Sequence, residues 1–190
     1  MSLRIYGNRS IKTLPGQDTR PTLARIREAV FNIWQGRIVG CRWLDLCAGS
    51  GAMGAEALCR GAACVVGIEQ SPRACAVIRK NWQHVATGEQ TFRILQGDVL
   101  KQLKTLAGNS FDLIYFDPPY TSDLYQPVLS AITHYHLLTP AGELAVEHCR
   151  DPRKHNRLGK GHDWQPPSEL QLCRQKIYGG TALSFYLLQN

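Results

Sequence analysis

The sequence has no apolar run approaching the roughly 20 residues that a helix needs to cross a bilayer. It has no Cys-x-x-Cys pair, and its seven cysteines (41, 47, 59, 64, 75, 149 and 173) are odd in number and fall largely within apolar segments. These absences argue against a membrane protein and against a disulfide scaffold; they fit reduced, mostly buried thiols in the cytoplasm. Met1-Ser2-Leu3-Arg4 carries no apolar h-region, so no secretion signal is expected. Six histidines are scattered, and His134-x-His136 lacks a third ligand at metal spacing, so no metal is expected. There is no internal repeat and no low-complexity tract. Acidic residues are scarce at the front: residues 1–27 hold Arg4, Arg9, Lys12, Arg20, Arg25 and Arg27 against Asp18 alone. Most of the formal charge of +7 therefore sits there, which points to a polyanion partner.

What is present is an ordinary globular composition, 44% hydrophobic over 190 residues, enough for one domain with a small appendage. Residues 3–14 alternate apolar and polar side chains around Gly7-Asn8 and predict a short basic β-hairpin. Pro15-Gly16 breaks it. Pro21 then suits the first turn of an amphipathic helix with Leu23, Ile26, Val30, Ile33 and Trp34 on one stripe, ended by Gly36. From Trp43 the texture becomes β-α-β. Strands are expected at 42–46, 64–69, 91–96, 111–116 and 142–148, with helices near 52–60, 72–82, 99–106 and 123–136. Residues 171–178 and 182–188 flank Gly179-Gly180-Thr181 and read as a closing hairpin. The Pro-, Gly- and Lys/Arg-rich stretch 150–168 reads as a mobile loop. The expected division is a 1–19 basic hairpin extension and a domain over 20–190.

Two stretches carry chemistry. Leu44-Asp45-Leu46-Cys47-Ala48-Gly49-Ser50-Gly51-Ala52-Met53-Gly54 ends an apolar strand in a glycine-rich turn that opens a helix, and Glu69 stands twenty residues beyond Gly49. Alone this fingerprint also fits an NAD-binding oxidoreductase. Asp117-Pro118-Pro119-Tyr120, at the end of another apolar strand, has no role in such an enzyme. Two prolines fix φ and leave the Pro118 carbonyl as an acceptor of set direction, Asp117 supplies a second acceptor, and Tyr120 a flat face. Such a site suits a planar group bearing an –NH₂. In a parallel sheet, ligands sit beyond the carboxyl ends of the strands, where Asp45, Glu69, Asp98 and Asp117 all fall. Glu69 is expected to accept from two ribose hydroxyls and Asp98 from an adenine amine, with backbone of the glycine turn holding the remaining tail. A valine at Gly51 is expected to exclude the cofactor sterically.

These strand ends resemble those of S-adenosylmethionine-dependent methyltransferases that modify exocyclic amines. Arg20-Pro21-Thr22, Arg27-Glu28-Ala29, Phe31-Asn32-Ile33, Leu44-Asp45-Leu46, Ala48-Gly49-Ser50-Gly51, Glu56-Ala57-Leu58, Arg60-Gly61-Ala62, Tyr178-Gly179 and Phe185-Tyr186 resemble one family more closely. It is the bacterial 16S ribosomal RNA (guanine-N2)-methyltransferases. The likeness spans nearly the whole chain apart from 150–168; Cys47 stands where that family usually has phenylalanine, and 1–19 matches only loosely.

The resemblance implies a doubly wound, mostly parallel seven-stranded α/β sheet of the class I methyltransferase type, with a C-terminal antiparallel hairpin and a small N-terminal hairpin/helix extension. It implies S-adenosyl-L-methionine held by Asp45, Ala48, Gly49, Ser50, Gly51, Glu69, Gln70, Asp98 and Val99. Asp117, Pro118, Pro119 and Tyr120 would handle the guanine, and Arg9, Lys12, Arg20 and Arg25 the RNA. The partner would be ribosomal RNA or an assembling small subunit, met by a cytoplasmic monomer. A methyltransferase acting on adenine N6 of DNA or RNA, and a non-catalytic RNA-binding assembly factor, remain alternatives.

Overall fold

The computed structural model describes residues 2–14, 21–150 and 164–189, with the side chains of 21–23 left aside. Ser2–Ile5 (β1) and Arg9–Lys12 (β2) pair antiparallel across a tight turn at Tyr6–Asn8, in which Gly7 has φ +71°. Helix α1 runs Pro21–Ile33. Strands follow at Arg42–Leu46 (β3), Cys64–Glu69 (β4), Thr91–Gln96 (β5), Phe111–Phe116 (β6), Leu138–Cys149 (β7), Leu170–Tyr178 (β8) and Thr181–Leu188 (β9). Between them lie Ala52–Cys59 (α2), Pro72–Val85 (α3), Val99–Thr105 (α4) and Tyr125–His134 (α5).

The seven-stranded sheet has the order β5-β4-β3-β6-β7-β9-β8, parallel from β5 to β7 and antiparallel where β9 enters between β7 and β8. The expected class I methyltransferase sheet is thus present. The chain winds outward from β3 to β5, then returns to lay β6 on the other side of β3. That reversal opens the crevice at the carboxyl ends of β3 and β6.

Side-chain alternation assigns each strand residue to one of two cores. Trp43, Leu113, Tyr115 and Ala145 join the layer of α1, α2 and α3, where Phe31 stacks on Trp43 at 5.2 Å. Leu44, Leu46, Ile114, Phe116, Leu144 and Val146 face α4 and α5. Ile5 and Ile11 of the hairpin are buried in the first of these cores, so the N-terminal hairpin rests on the α2–α3 layer.

Several element boundaries shift by one or two residues from the sequence reading, and those of β7 and α3 shift further. Strand β7 begins four residues before 142, because Leu138 already pairs with Phe111 and the register shifts before Leu113 meets Glu143. Pro140 and Gly142, which read as breakers, lie in that irregular stretch, where the Ala141 carbonyl accepts from Arg37. Helix α3 continues past 82 to Val85, since Trp82 and Val85 both reach the core. Most of the loop expected at 150–168 lies outside the described residues. Its end is packed: Trp164 stacks on Tyr125 at 5.3 Å and meets His148 and Tyr186 edge-on. Of the cysteines, Cys41 and Cys75 are buried, and Cys173 is exposed.

Candidate active site

The loops beyond β3, β4 and β6 enclose a cavity of about 750 Å³, a volume that accommodates a nucleoside-sized ligand. Asp45, Ala48, Gly49, Ser50, Glu69, Gln70, Asp98, Val99, Asp117, Pro118, Pro119 and Tyr120 all line it. Residues named from four separate segments of sequence therefore meet in one place.

The glycine turn is held from below. Ala48 N–H donates to the Ile68 carbonyl at 3.0 Å and Gly51 N–H to the Ala48 carbonyl at 2.7 Å. Cys47, Gly49 and Gly51 have φ of 61°, 57° and 73°, so the chain turns left-handed at every second residue. Glu69 braces this turn: its Oε2 accepts from Gly49 N–H and its Oε1 from Ser71 N–H, both at 2.8 Å. Each oxygen keeps a second lone pair for a ligand hydroxyl. Asp98 caps α4 through Oδ1, which accepts from Lys101 N–H at 3.0 Å, while the residue stays exposed at the cavity rim.

Asp45 and Gly51, both expected at the cofactor, are buried. Gly51 is set back from the cavity wall, and an added Cβ would lie 2.8 Å from Trp82 Nε1 and 3.0 Å from Ile78. It serves the turn rather than the cofactor surface. Asp45 lines the cavity but is buried, and its Oδ2 accepts from Gly54 N–H at 3.0 Å. Burial pushes its carboxyl up to about 8, against the pull of the Gly54 N–H and with a further push from Glu69.

The Asp-Pro-Pro-Tyr segment leaves the sheet at the end of β6. Asp45 pairs with Tyr115, and Phe116 with Val146. One step further along that register Asp117 comes beside Glu147, a residue that the sequence reading missed. Glu147 is buried; it accepts from the hydroxyl of Tyr115 at one oxygen and from that of Tyr120, at 2.8 Å, on the other. Tyr120 also bonds Thr181 Oγ1 at 2.9 Å, so its ring is held by its phenol as well as by the prolines before it. Burial raises the carboxyls of both Asp117 and Glu147, and for Asp117 the neighbouring Glu147 and Asp45 charges raise it further. The available signal was an acidic residue in the otherwise apolar run Leu144-Ala145-Val146-Glu147, on the face that Asp117 shares.

Among the described residues, five acidic side chains (Asp45, Glu69, Asp98, Asp117 and Glu147) thus line the cavity against one cation, Arg27. Among the described residues no group of His, Cys, Asp and Glu is placed to hold a metal ion. Cys47 is also in the wall, and burial, then Asp117, pushes its thiol up to about 12, so it remains a neutral thiol.

The basic front divides into two kinds of residue. Arg27 faces inward: it pairs with Glu56, which also pairs with Arg60, and its Nη2 donates to the Arg4 carbonyl at 2.9 Å. Arg9, although exposed, donates through Nη1 to the Val85 carbonyl at 2.7 Å and so fastens the hairpin to α3. Lys12 and Arg25 have exposed side chains, and Lys12 is tied by its backbone alone, to Asn81. Arg20 lies outside the described residues.

A sheet of this order, a glycine turn after its first parallel strand and an Asp-Pro-Pro-Tyr exit from the fourth define a protein of the class I methyltransferase fold. The chain belongs to the family described as Conserved hypothetical protein 95, whose model matches residues 3–187. It is 29% identical over 178 residues to the ribosomal RNA small subunit methyltransferase D of Escherichia coli, covering 92% of this chain and 84% of that one. The solved Escherichia coli protein yhhF superimposes with a TM-score of 0.81 at 26% identity, covering 100% of this chain and 99% of that one. The structure of SMU.776 complexed with SAH shares the fold alone, with a TM-score of 0.63 at 13% identity over 86% of this chain and 48% of that one. The resemblance drawn from the sequence is therefore a true family relationship.

Proposed function

We propose that this chain is an S-adenosylmethionine-dependent ribosomal RNA methyltransferase, and that its target is the exocyclic N2 amine of a guanine in 16S ribosomal RNA. The observation that carries the reading is the joining of Asp117 and Pro118 to the glycine turn in one acid-lined cavity. The name of the Escherichia coli relative supports ribosomal RNA of the small subunit. The choice of guanine N2 rests on the chemistry of an exocyclic amine and on the family resemblance.

The residues fit the cofactor. Glu69 offers acceptors for two ribose hydroxyls, Asp98 and Val99 form the wall for the adenine, and the turn Ala48–Ser50 gives backbone access without a large side chain. When bound, S-adenosylmethionine supplies an electrophilic methyl on a sulfonium cation. The guanine amine is a poor nucleophile because its lone pair is spread into the ring. Asp117 and the Pro118 carbonyl accept its two N–H hydrogens, which localises that lone pair and aims it. The work of the site is thus positioning and electrostatics. Tyr120, clamped by Glu147 and Thr181, offers its ring to the unstacked base and repays part of the unstacking cost.

The test is transfer of radiolabelled methyl to 16S ribosomal RNA, 30S particles and DNA. Label recovered as N2-methylguanosine from RNA is expected. Label on adenine N6, or in DNA, would reassign the target, and no transfer to any of them would remove the enzymatic reading.

A cation suits an acid-lined cavity in which burial raises the carboxyls of Asp45, Asp117 and Glu147. Its binding favours their ionised forms and releases protons, whereas the neutral thioether of SAH does so less. Affinity for S-adenosylmethionine relative to SAH should therefore grow as pH rises from about 6 through the Asp45 value of about 8. Calorimetric titration of both ligands across that range checks it; a flat ratio would detach the carboxylates from the cofactor's charge.

Of the cations expected to hold the RNA, Lys12 and Arg25 are the exposed ones among the described residues whose side chains are not tied internally as Arg9 is. Neutralising both should weaken RNA binding and flatten its salt dependence by slightly less than about one logarithmic unit for each phosphate no longer held. Arg9→Ala should instead loosen the hairpin and lower stability. An unchanged salt slope in the Lys12/Arg25 double variant would place the RNA elsewhere.

A further inference from the structure

The cavity has one wall that the chemistry above does not use. Leu3, Thr13, Ala24 and Arg27 line it from the hairpin and α1. Thr13 Oγ1 is buried with no hydrogen-bond partner, a condition that costs a hydroxyl about 1–3 kcal/mol. Arg27, 7% exposed, spends Nε on Glu56 and Nη2 on the Arg4 carbonyl, and its Nη1 has no partner among the described residues. An orphaned hydroxyl and the remaining nitrogen of a buried guanidinium thus border the same space.

Both are held in place before any ligand arrives. Glu56 of α2 fixes the Arg27 guanidinium, and Arg60 shares that carboxylate, leaving the trio with a net positive charge. Thr13 follows Lys12, whose backbone N–H and carbonyl are both bonded by Asn81. Asn81 also donates to the Ser50 carbonyl at 3.0 Å, so one side chain ties the hairpin's end to the glycine turn. Among the described residues of the lining, whose other charged side chains are all acidic, this corner holds the one cation and so suits an anion.

We propose that Thr13 and Arg27 form the subsite for the α-carboxylate at the amino-acid end of the cofactor. The inference rests on the cofactor reading given above. A charge-assisted bond from the guanidinium and one from the hydroxyl would satisfy both orphans. It would also give the N-terminal hairpin a direct share in cofactor binding, beyond any role in holding RNA. An RNA phosphate has the same anionic chemistry, and the test separates the two sources because it contains no RNA.

The test titrates SAH and 5′-methylthioadenosine, which keeps the adenosine and sulfur but lacks the amino-acid end, into the full chain, Arg27→Met and Thr13→Val. Arg27→Met is expected to weaken SAH by about ten-fold or more, the usual loss for a bond to a charged group, and to leave 5′-methylthioadenosine within about two-fold. Thr13→Val, nearly isosteric, should weaken SAH alone by about three-fold or more. It carries the test if Arg27→Met fails to fold for want of the Glu56 pair. Equal losses for both ligands would show a merely structural corner and overturn the proposal, as would unchanged SAH affinity. If the unaltered chain binds neither ligand, the cofactor reading itself fails.

Discussion

Asp117→Ala should lower methyl transfer by at least about a hundred-fold, the scale of removing one preorganised hydrogen-bonding group from a reacting centre, while SAH affinity stays within about two-fold. Asp117 leaves β6 at the end of the sheet and lines the cavity, and the proposed reaction assigns it to the base. It must accept an N–H hydrogen, so the ionised carboxylate is the active form. Burial, then Glu147 and Asp45, holds its carboxyl well above the usual carboxylate range. Activity should therefore climb with pH along a limb displaced upward from ordinary aspartate behaviour. Glu147→Gln removes a neighbouring charge and should move that limb to lower pH. A glutamine keeps one acceptor for Tyr115 and can donate to Tyr120, whose hydroxyl can turn to Thr181. Rate profiles of the unaltered chain and Glu147→Gln check this. A limb that stays put, or an Asp117→Ala variant with full turnover, would refute the roles assigned.

Gly51→Val should destabilise the fold by about 3 kcal/mol or more, from overpacking and from a branched residue forced into the left-handed region. Its Cβ would lie within 3.0 Å of Trp82 and Ile78, and φ is +73°. Trp82 cannot give way cheaply. Its Nε1 donates to the Gly51 carbonyl at 2.8 Å, and its ring also lies 2.3 Å from where a Cβ would stand on Gly54 and 2.5 Å from one on Gly67. Three glycines together accommodate one indole. Cofactor binding is lost in this variant because the turn is lost, so denaturant unfolding and ligand titration should fail together. A variant of full stability that binds no ligand would restore the steric reading and place Gly51 at the cavity surface.

The sequence by itself determined the β-α-β order, the strands 64–69, 91–96 and 111–116 to the residue, the glycine turn and the Asp-Pro-Pro-Tyr exit. These are local matters: alternation, proline and glycine act within a few neighbours. The start of β7 was not legible, because Pro140 and Gly142 look like terminators until Leu138 is seen to pair with Phe111. Nor was the state of the charges. Arg27 and Arg9 look alike in a basic N-terminus, yet one is buried against Glu56, 29 positions away, and the other is fastened to Val85, 76 positions away. Glu147 reaches Tyr120 across 27 positions, and Thr13 is an orphan only once the hairpin has folded over the cavity. A charge takes its meaning from its partner and from its distance to water, and both are set by chain segments that only the tertiary structure brings together.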